Sequence, residues 1–195
     1  PSAEVIFNFG GSSALATQIN QGAPADVFAS ASPATMTTVT GAGNAAGTPT
    51  TFARNQLVIA VPKGNPDGIA GLADLTGVKV ALCAEQAPCG AAARAALDAA
   101  GVALTPVTLE QDVKAALAKV KLGEVDASLV YRTDARAADD GVDGVEFPES
   151  AGAANDYPVA VLADAPNADA ARAFVDHVLS GEGRAVLTEA GFQAP

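Results

Sequence analysis

The sequence predicts an α/β fold. Strand-like apolar runs alternate with helix-like segments along the whole chain of 195 residues, which is the pattern of this class. Hydrophobic residues make up 49% of the chain and aromatic residues only 5%. The core is therefore built mainly from Ala, Val, Leu and Ile, as in folds with buried strands. The length suffices for one large domain or for two small lobes.

The charge balance narrows the possible partners. Acidic residues outnumber basic residues by 22 to 11, and the net charge is −11. A nucleic-acid partner is excluded, because it requires clustered Lys and Arg. The long-range field of such a chain also repels small anions, so any anion site has to rely on local dipoles. No apolar run approaches the roughly 20 residues that a membrane span needs.

The first half of the chain predicts strands and helices in alternation. The strands are E-V-I-F-N-F at 4–9, V-F-A-S-A at 27–31 and L-V-I-A-V-P at 57–62. Ser12 or Ser13 is expected to cap a helix that extends to about Gln21, because a serine hydroxyl accepts a bond from an unpaired N–H at a helix start. Pro33 begins another short helix. The small residues at 41–49 predict a flexible connection.

The second half continues the alternation. The strands are V-K-V-A-L-C at 78–83, D-A-S-L-V-Y at 126–131, G-V-E-F-P-E at 144–149 and Y-P-V-A-V-L at 157–162. A helix is expected between Pro88 and Gly101. The next one, at 111–122, shows apolar residues at helical spacing and ends at Gly123. Further helices are predicted at 132–138, 168–180 and 183–190.

Two cysteines, Cys83 and Cys89, flank the short segment C-A-E-Q-A-P-C. Their spacing is too wide for a C-x-x-C redox motif, and neither a further Cys nor a nearby His completes a zinc site. We therefore favour a disulfide that closes this loop, which indicates an oxidising compartment outside the cytoplasm. Two reduced, buried cysteines are the alternative.

The stretch F-G-G-S-S places small and hydroxyl residues at a predicted helix start. A helix start carries unpaired N–H groups and the positive end of the helix dipole. Gly11 lets an anion approach the backbone, and Ser12 and Ser13 add neutral donors. Together they could form an anion site without Lys or Arg. An ordinary helix start after a tight turn is the alternative.

Three further segments of the sequence could also supply hydrogen-bond donors to an anion. The N–H groups of Cys89 and Gly90 lie at the start of the next helix, where we expect them to point outward. A strand ends near Val130 and leads into a helix. Tyr157 precedes a proline and is therefore held extended, which could direct its hydroxyl at a cleft. Each of these features also has a purely structural explanation.

The sequence contains no recognisable catalytic set, so we predict that the protein is not an enzyme. His177 lies within a predicted helix, where a surface or packing role is expected. G-G-S-S differs from the G-x-S-x-G nucleophile motif. A hydrolase that uses Ser12 or Ser13 with His177 is a minor alternative.

Taken together, these segments resemble one family. The matching segments are F-G-G-S-S-A-L-A-T-Q-I, Q-G-A-P-A-D-V-F-A-S-A, N-Q-L-V-I-A-V-P-K, Q-D-V-K-A-A-L-A-K-V, L-V-Y-R-T-D-A, F-P-E with Y-P-V-A-V-L, and A-F-V-D-H-V-L-S-G-E-G-R-A-V-L-T-E-A-G-F. In order and spacing they are similar to the molybdate-binding proteins of bacterial ABC importers. The resemblance covers nearly the whole chain, although A-P-A-D-V-F-A-S-A alone is shared with related oxyanion binders.

The resemblance implies a two-lobed periplasmic binding protein fold of the class II type, with the anion site in the cleft between the lobes. Residues 1–57 and 160–195 would form lobe one, and residues 58–159 lobe two. The ligand would be molybdate, and also tungstate, with no cofactor and no other metal. The donors carried over are Ser12, the N–H groups of Cys89 and Val130, and the Tyr157 hydroxyl. The supporting loop residues would be Gly11, Ser13 and Gly90.

The resemblance also implies partners and a location. The protein would be a monomer that serves an ABC permease from the periplasm or the cell surface, with a lipid anchor upstream of Pro1 as one way of tethering. Family members open with a strand, a turn that carries another binding Ser, and a helix. These do not precede Pro1, so we expect the native molecule to include about 30 further residues, the size of one βα unit.

Two other functions remain open at this point. The same fold could bind another tetrahedral oxyanion, such as sulfate or phosphate. It could also be the effector-sensing domain of a transcription regulator, which would need an attached DNA-binding segment and which a disulfide argues against.

Overall fold

The computed structural model describes residues 4–195, which form two compact units. The first unit comprises the described residues through Arg54 together with Asp156–Glu189 and Gln193–Pro195; the second comprises Asn55–Asn155 and Ala190–Phe192. Helices and strands alternate through both, so the predicted α/β class is confirmed. The lobe boundaries drawn from the family resemblance stay a prediction.

The helices and strands are numbered in chain order. The helices are α1 (Ser12–Asn20), α2 (Pro33–Gly41), α3 (Pro88–Ala100), α4 (Val113–Lys121), α5 (Arg132–Ala137), α6 (Ala168–Leu179) and α7 (Gly181–Glu189). The strands are β1 (Val27–Ala29), β2 (Thr50–Asn55), β3 (Leu57–Pro62), β4 (Val80–Cys83), β5 (Thr108–Glu110), β6 (Ala127–Tyr131), β7 (Val142–Val145) and β8 (Asn155–Val161). Within residues 4–195, no helix is long and apolar enough to cross a membrane.

The first unit is built on a small sheet in which β8 lies between β1 and β2. β1 is antiparallel to β8, with Phe28 opposite Ala160. Helices α1 and α2 pack against each other and cover the sheet. The buried apolar side chains of this core are Ala16, Phe28, Met36, Val39, Ala160 and Leu162.

The strand predicted at residues 4–9 is absent from the structure. Residues 4–10 have no regular secondary structure and are exposed. The side chain of Ile6 is 87% exposed and that of Phe9 79% exposed. Phe7 stacks on Phe9 and contacts the ring edge of Phe174, at centroid distances of 5.5 and 6.4 Å. A segment with alternating apolar residues forms a strand only when a neighbouring strand is available to pair with it. Here the apolar side chains contact one another instead.

The predicted serine cap of the first helix is also wrong. Gly11 is the N-cap residue, and its carbonyl accepts the N–H groups of Ala14 and Leu15 at 3.0 and 3.1 Å. Ser12 is the first helical residue, so its hydroxyl is available for a contact outside the helix. The helix itself is confirmed within one residue of its predicted end.

The second unit is built on a five-stranded mixed sheet in the order β5-β4-β6-β3-β7. β4 is parallel to both β5 and β6, whereas β3 is antiparallel to β6 and β7. The carboxyl ends of β4, β5 and β6 therefore lie at the same edge of the sheet. Helices α3, α4 and α5 follow these strands in turn, so all three helices begin at that edge.

Ser128 is a polar residue in the centre of this sheet. It lies opposite Ala60 on β3 and Ala81 on β4 and is fully buried. Within the described part of the chain, its hydroxyl has no hydrogen-bond partner. A buried hydroxyl without a partner carries a desolvation cost that is not recovered.

We expect Ser128→Ala to leave the free energy of unfolding unchanged or to raise it by about 1 kcal/mol, because no hydrogen bond is lost. Urea denaturation measures the change. The matched control is Ser150→Ala: Ser150 is equally buried, but its hydroxyl donates to the Phe147 carbonyl at 2.7 Å. That variant should lose about 1–2 kcal/mol. Equal losses in both variants would show that Ser128 is bonded in solution.

Candidate functional site

In the first unit, the Ser12 hydroxyl lies at the start of α1 and is held by the backbone. Ser12 is buried, and its Oγ accepts the N–H of Ala31 at 3.0 Å. Because Oγ is the acceptor in this bond, the hydroxyl hydrogen can be donated to another group. Ser12 therefore combines a fixed hydroxyl with the positive end of a helix dipole.

Ser30 and Ala31, in the loop directly after β1, connect Ser12 to the strand that carries Tyr157. The N–H of Ser30 donates to the carbonyl of Pro158 at 2.9 Å, one residue before the N–H that binds Ser12. Tyr157 is half-buried, and its ring packs edge-to-face on Phe52 with the centroids 6.2 Å apart. Two consecutive N–H groups thus hold Ser12 and the middle of β8 against one short loop, so both predicted donor residues of the first unit lie near this loop.

In the second unit, Cys83 and Cys89 form the predicted disulfide, and both are buried. The bridge joins the end of β4 to the start of α3 across residues 84–88. Ala87 is the N-cap residue and Pro88 the first helical residue. The N–H of Cys89 is therefore in the first turn, where a helix supplies no acceptor. This position agrees with the donor role predicted for Cys89, which remains a proposal.

Gly90 does not have the outward-pointing N–H that we expected. Its N–H donates to the Ala87 carbonyl at 3.0 Å, as part of the tight first turn of α3. The reason for a glycine at this position is close packing. A Cβ at residue 90 would lie 2.5 Å from the carbonyl carbon of Ala84 and 2.8 Å from the oxygen of Cys83. Gly90 thus allows the start of α3 to rest on the disulfide loop.

The strand register bears on the predicted role of Val130. Val130 lies opposite Val58 in the antiparallel β3–β6 pair, and two residues further on the N–H of Arg132 donates to the Gln56 carbonyl at 2.9 Å. Bonded pairs recur at every second residue of an antiparallel ladder. The N–H of Val130 is therefore directed at Val58. This pairing weighs against a donor role for Val130, which stays a prediction.

The start of α4 offers a donor that the sequence reasoning missed. Val113 is the first residue of α4, and Asp112 caps the helix by accepting the N–H of Ala115 at 2.9 Å. The helix supplies no acceptor for the N–H of Val113, and α4 begins at the same sheet edge as α3. Asp112 directly before an apolar run at helical spacing is the signal in the sequence that could have placed this helix start, because Asp is a favoured N-cap residue.

The arginine that begins α5 is paired with a carboxylate. Arg132, the first residue of α5, forms two bonds to the Glu146 carboxylate at 2.7 and 2.8 Å. This pairing raises the pKa of Arg132 and lowers that of Glu146. Within residues 4–195, no cluster of His, Cys, Asp or Glu could hold a metal ion. Arg132 is therefore neutralised by Glu146, whereas Lys114, in the first turn of α4, is an exposed cation at the same edge, beside the backbone dipoles of the helix starts.

Asp134, in the first turn of α5, has a carboxyl group whose pKa is changed by its surroundings. Burial raises the pKa of its carboxyl to about 6, although Lys114 and a bond from the Tyr131 backbone favour the charged form. Asp112 raises this pKa further. A carboxyl with a pKa near 6 changes its protonation in mildly acidic solution.

We expect Asp134→Asn to change the pH dependence of stability. The pKa of Asp134 in the native state lies above the value of about 3.9 in the unfolded chain, so the native state binds this proton more tightly. The contribution of the Asp134 carboxyl to the free energy of unfolding is fully present below about pH 4 and is lost as the pH rises to about 6. Urea denaturation between about pH 3.5 and 7 should show that this loss disappears in Asp134→Asn. A profile parallel to that of the unaltered chain would contradict the prediction.

Glu146→Gln provides a contrast for this experiment. The pKa of Glu146 is lowered by Arg132, so its contribution to stability is present above the unfolded pKa and is lost as the pH falls. Its removal should therefore flatten the acid side of the profile, in the opposite sense to Asp134→Asn.

The chain matches a known family over almost its whole length. Residues 1–193 match the family described as bacterial extracellular solute-binding protein. Among curated proteins, the molybdate-binding protein ModA of Mycobacterium tuberculosis (strain H37Rv) is 47% identical over 197 residues. That alignment covers all of this chain and 76% of the relative.

Solved structures show the same fold. The substrate-binding domain of a putative molybdenum ABC transporter from Clostridium difficile is 30% identical, with a TM-score of 0.67, and the match covers 96% of this chain and 85% of that one. The periplasmic molybdate-binding protein of Azotobacter vinelandii has a TM-score of 0.79 at 20% identity, over 95% of this chain and 85% of that one. At that identity the second likeness supports the fold alone.

Proposed function

Because the chain belongs to the family of bacterial extracellular solute-binding proteins, we propose that it captures molybdate outside the cytoplasm and delivers it to an ABC importer. The family is one of transport proteins rather than enzymes, which agrees with the sequence prediction. The observation that supports molybdate as the ligand is the 47% identity, over the entire chain, to a protein named for molybdate binding. His177 lies exposed on α6, which agrees with the surface role expected for it from the sequence.

The binding groups that we propose are neutral. The first unit contributes the hydroxyls of Ser12 and Tyr157, and Gly11 and Ser13 form the turn around the start of α1. The second unit contributes the N–H of Cys89. In place of Val130, we propose the N–H of Val113 as the further backbone donor. Helix starts and hydroxyls can bind a dianion without a cation, which suits a chain with a net charge of −11.

Tungstate is the second ligand that we propose, because it is a tetrahedral dianion like molybdate. Sulfate has the same charge and shape but is smaller. A smaller anion leaves some donors without a partner, and unpaired buried donors reduce affinity. Selectivity for the larger oxyanions therefore depends on the spacing of the donors.

The proposed setting follows from the family. The protein is extracytoplasmic, and the disulfide between Cys83 and Cys89 suits an oxidising compartment. We propose that it acts as a monomer, that it docks on a membrane permease, and that a lipid anchor at the amino-terminal side tethers it. Mass spectrometry of the native protein detects such an anchor as added mass.

A thermal-shift titration with molybdate, tungstate, sulfate and phosphate tests the ligand. An anion at about one hundred times its dissociation constant stabilises the native state by about 2.7 kcal/mol. We expect a shift with molybdate and tungstate and none with sulfate. Phosphate belongs in the panel because it is another tetrahedral oxyanion that the same fold could bind. A shift with sulfate or phosphate alone would keep the fold and overturn the ligand.

A further inference from the structure

Asn155 makes two contacts, one at the start of α3 and one with the Tyr131 side chain at the end of β6. It is the last residue of the segment Asn55–Asn155 of the second unit. Its side-chain amide donates to the phenol oxygen of Tyr131 at 2.7 Å. The same nitrogen lies 3.5 Å from the carbonyl oxygen of Pro88. Asn155 therefore links two elements that end or begin at the same edge of the sheet.

The contact to Pro88 acts on the peptide group that carries a proposed donor. The carbonyl of Pro88 and the N–H of Cys89 belong to one planar peptide unit. That unit is trans, as are all peptide bonds in the described part of the chain. In a trans unit the C=O and the N–H point in opposite directions. A donor at the Pro88 oxygen, added to the helical hydrogen bond that this oxygen accepts within α3, therefore restricts the direction of the Cys89 N–H further. The disulfide to Cys83 holds the Cys89 side chain, and Asn155 contacts the carbonyl oxygen of the preceding residue, Pro88.

The contact to Tyr131 anchors Asn155 itself. Tyr131 is buried at the end of β6, directly before α5. A buried phenol oxygen requires a hydrogen-bond partner, and the short 2.7 Å contact supplies one. The amide is thus fixed by one strong bond to a rigid strand, while its second hydrogen faces the first turn of α3.

We propose that Asn155 is a positioning residue for the anion site: it orients the Pro88–Cys89 peptide so that the Cys89 N–H is presented to the oxyanion. This inference rests on the proposed function. Asn155 does not touch the ligand; it acts through the peptide and through Tyr131.

The test compares molybdate affinity among variants by isothermal titration calorimetry. Asn155→Leu keeps the approximate size of the side chain but removes both donors, and we expect it to weaken molybdate binding about 5- to 10-fold, the scale of one hydrogen bond. Tyr131→Phe removes only the anchor and should weaken binding less. Because both changes act through one network, the double variant should lose less than the sum of the two.

The control is Asn20→Ala. The Asn20 amide donates to the Thr38 carbonyl at 3.0 Å and accepts from Asn44 at 2.8 Å, between α1 and the loop after α2. Its removal should lower the unfolding temperature and leave the affinity for molybdate unchanged. This separates a loss of affinity from a general loss of stability.

Nuclear magnetic resonance provides a readout that a purely structural role would not change. In the unaltered protein, molybdate should shift the Cys89 amide proton downfield, as expected for a donor to an anion. In Asn155→Leu that shift should become smaller, while shifts at the start of α1 remain. If Asn155→Leu binds as tightly as the unaltered chain with the same Cys89 shift, the inference is wrong. If the unaltered chain does not respond to molybdate, the proposed function fails first and this inference fails with it.

Discussion

Ser12→Ala should weaken molybdate binding about 10- to 100-fold, the scale of a hydrogen bond to a charged group. The hydroxyl of Ser12 is held by the Ala31 N–H at the start of α1, so we expect it to meet the anion with its orientation already fixed. The variant removes this donor and also leaves the Ala31 N–H without the Ser12 acceptor. Isothermal titration calorimetry measures the change in affinity.

Ser180→Ala is the matched control for this prediction. Ser180 also lies in the first unit, where its hydroxyl accepts the N–H of Gly183 at 3.2 Å and donates to the His177 carbonyl at 2.6 Å. Its loss should cost about 1 kcal/mol of stability, as for other helix caps, without changing the affinity. If Ser12→Ala and Ser180→Ala bind molybdate equally well, Ser12 is not a ligand.

Gly90→Ala should lower the free energy of unfolding by about 3 kcal/mol, at the upper end for overpacking. The added Cβ would meet the backbone of Cys83 and Ala84, with the Ala84 carbonyl carbon 2.5 Å away. Backbone cannot move aside as a flexible side chain can, and the disulfide at Cys89 keeps the loop close. The start of α3 would have to shift, which should also weaken anion binding.

Gly41→Ala is the control for the Gly90 prediction. Gly41 is the last residue of α2, is exposed, and has no atom within 4 Å of an added Cβ. Alanine favours a helix over glycine by about 1 kcal/mol, so this variant should be as stable as the unaltered chain or more stable. Thermal and urea denaturation distinguish the stability of Gly41→Ala from that of Gly90→Ala. A Gly90→Ala protein with unchanged stability would show that the loop before α3 is not closely packed in solution.

The elements that sequence predicted best are those whose environment is uniform. The run L-V-I-A-V-P is buried along its length, and it forms β3 with the predicted ends. The strands that were missed, β2 (T-T-F-A-R-N) and β5 (T-L-E), carry polar residues and form through pairing with neighbours that are distant in sequence. The strand predicted at 4–9 had the right alternation but no partner. Pairing, rather than local pattern, decided all three cases.

For the site, side-chain chemistry was easier to predict than backbone direction. The disulfide followed from the spacing of two cysteines and is confirmed. Whether a backbone N–H is available depends on register and on the first turn of a helix, which single residues do not encode. The N–H of Gly90 is used in a turn, and that of Val130 faces Val58. Val113 became a candidate only when the parallel order of β4, β5 and β6 placed the start of α4 beside that of α3.

Calorimetric titration of the unaltered chain with molybdate, at low and at high sodium chloride concentration, is the most direct test of capture by neutral donors. We predict one molybdate bound per chain, with an affinity that is unchanged or slightly higher at high salt, because screening weakens the repulsion from a chain of net charge −11. The absence of saturable binding would contradict the proposed function. An affinity that falls steeply with salt would show that cationic side chains, rather than helix starts and hydroxyls, hold the anion.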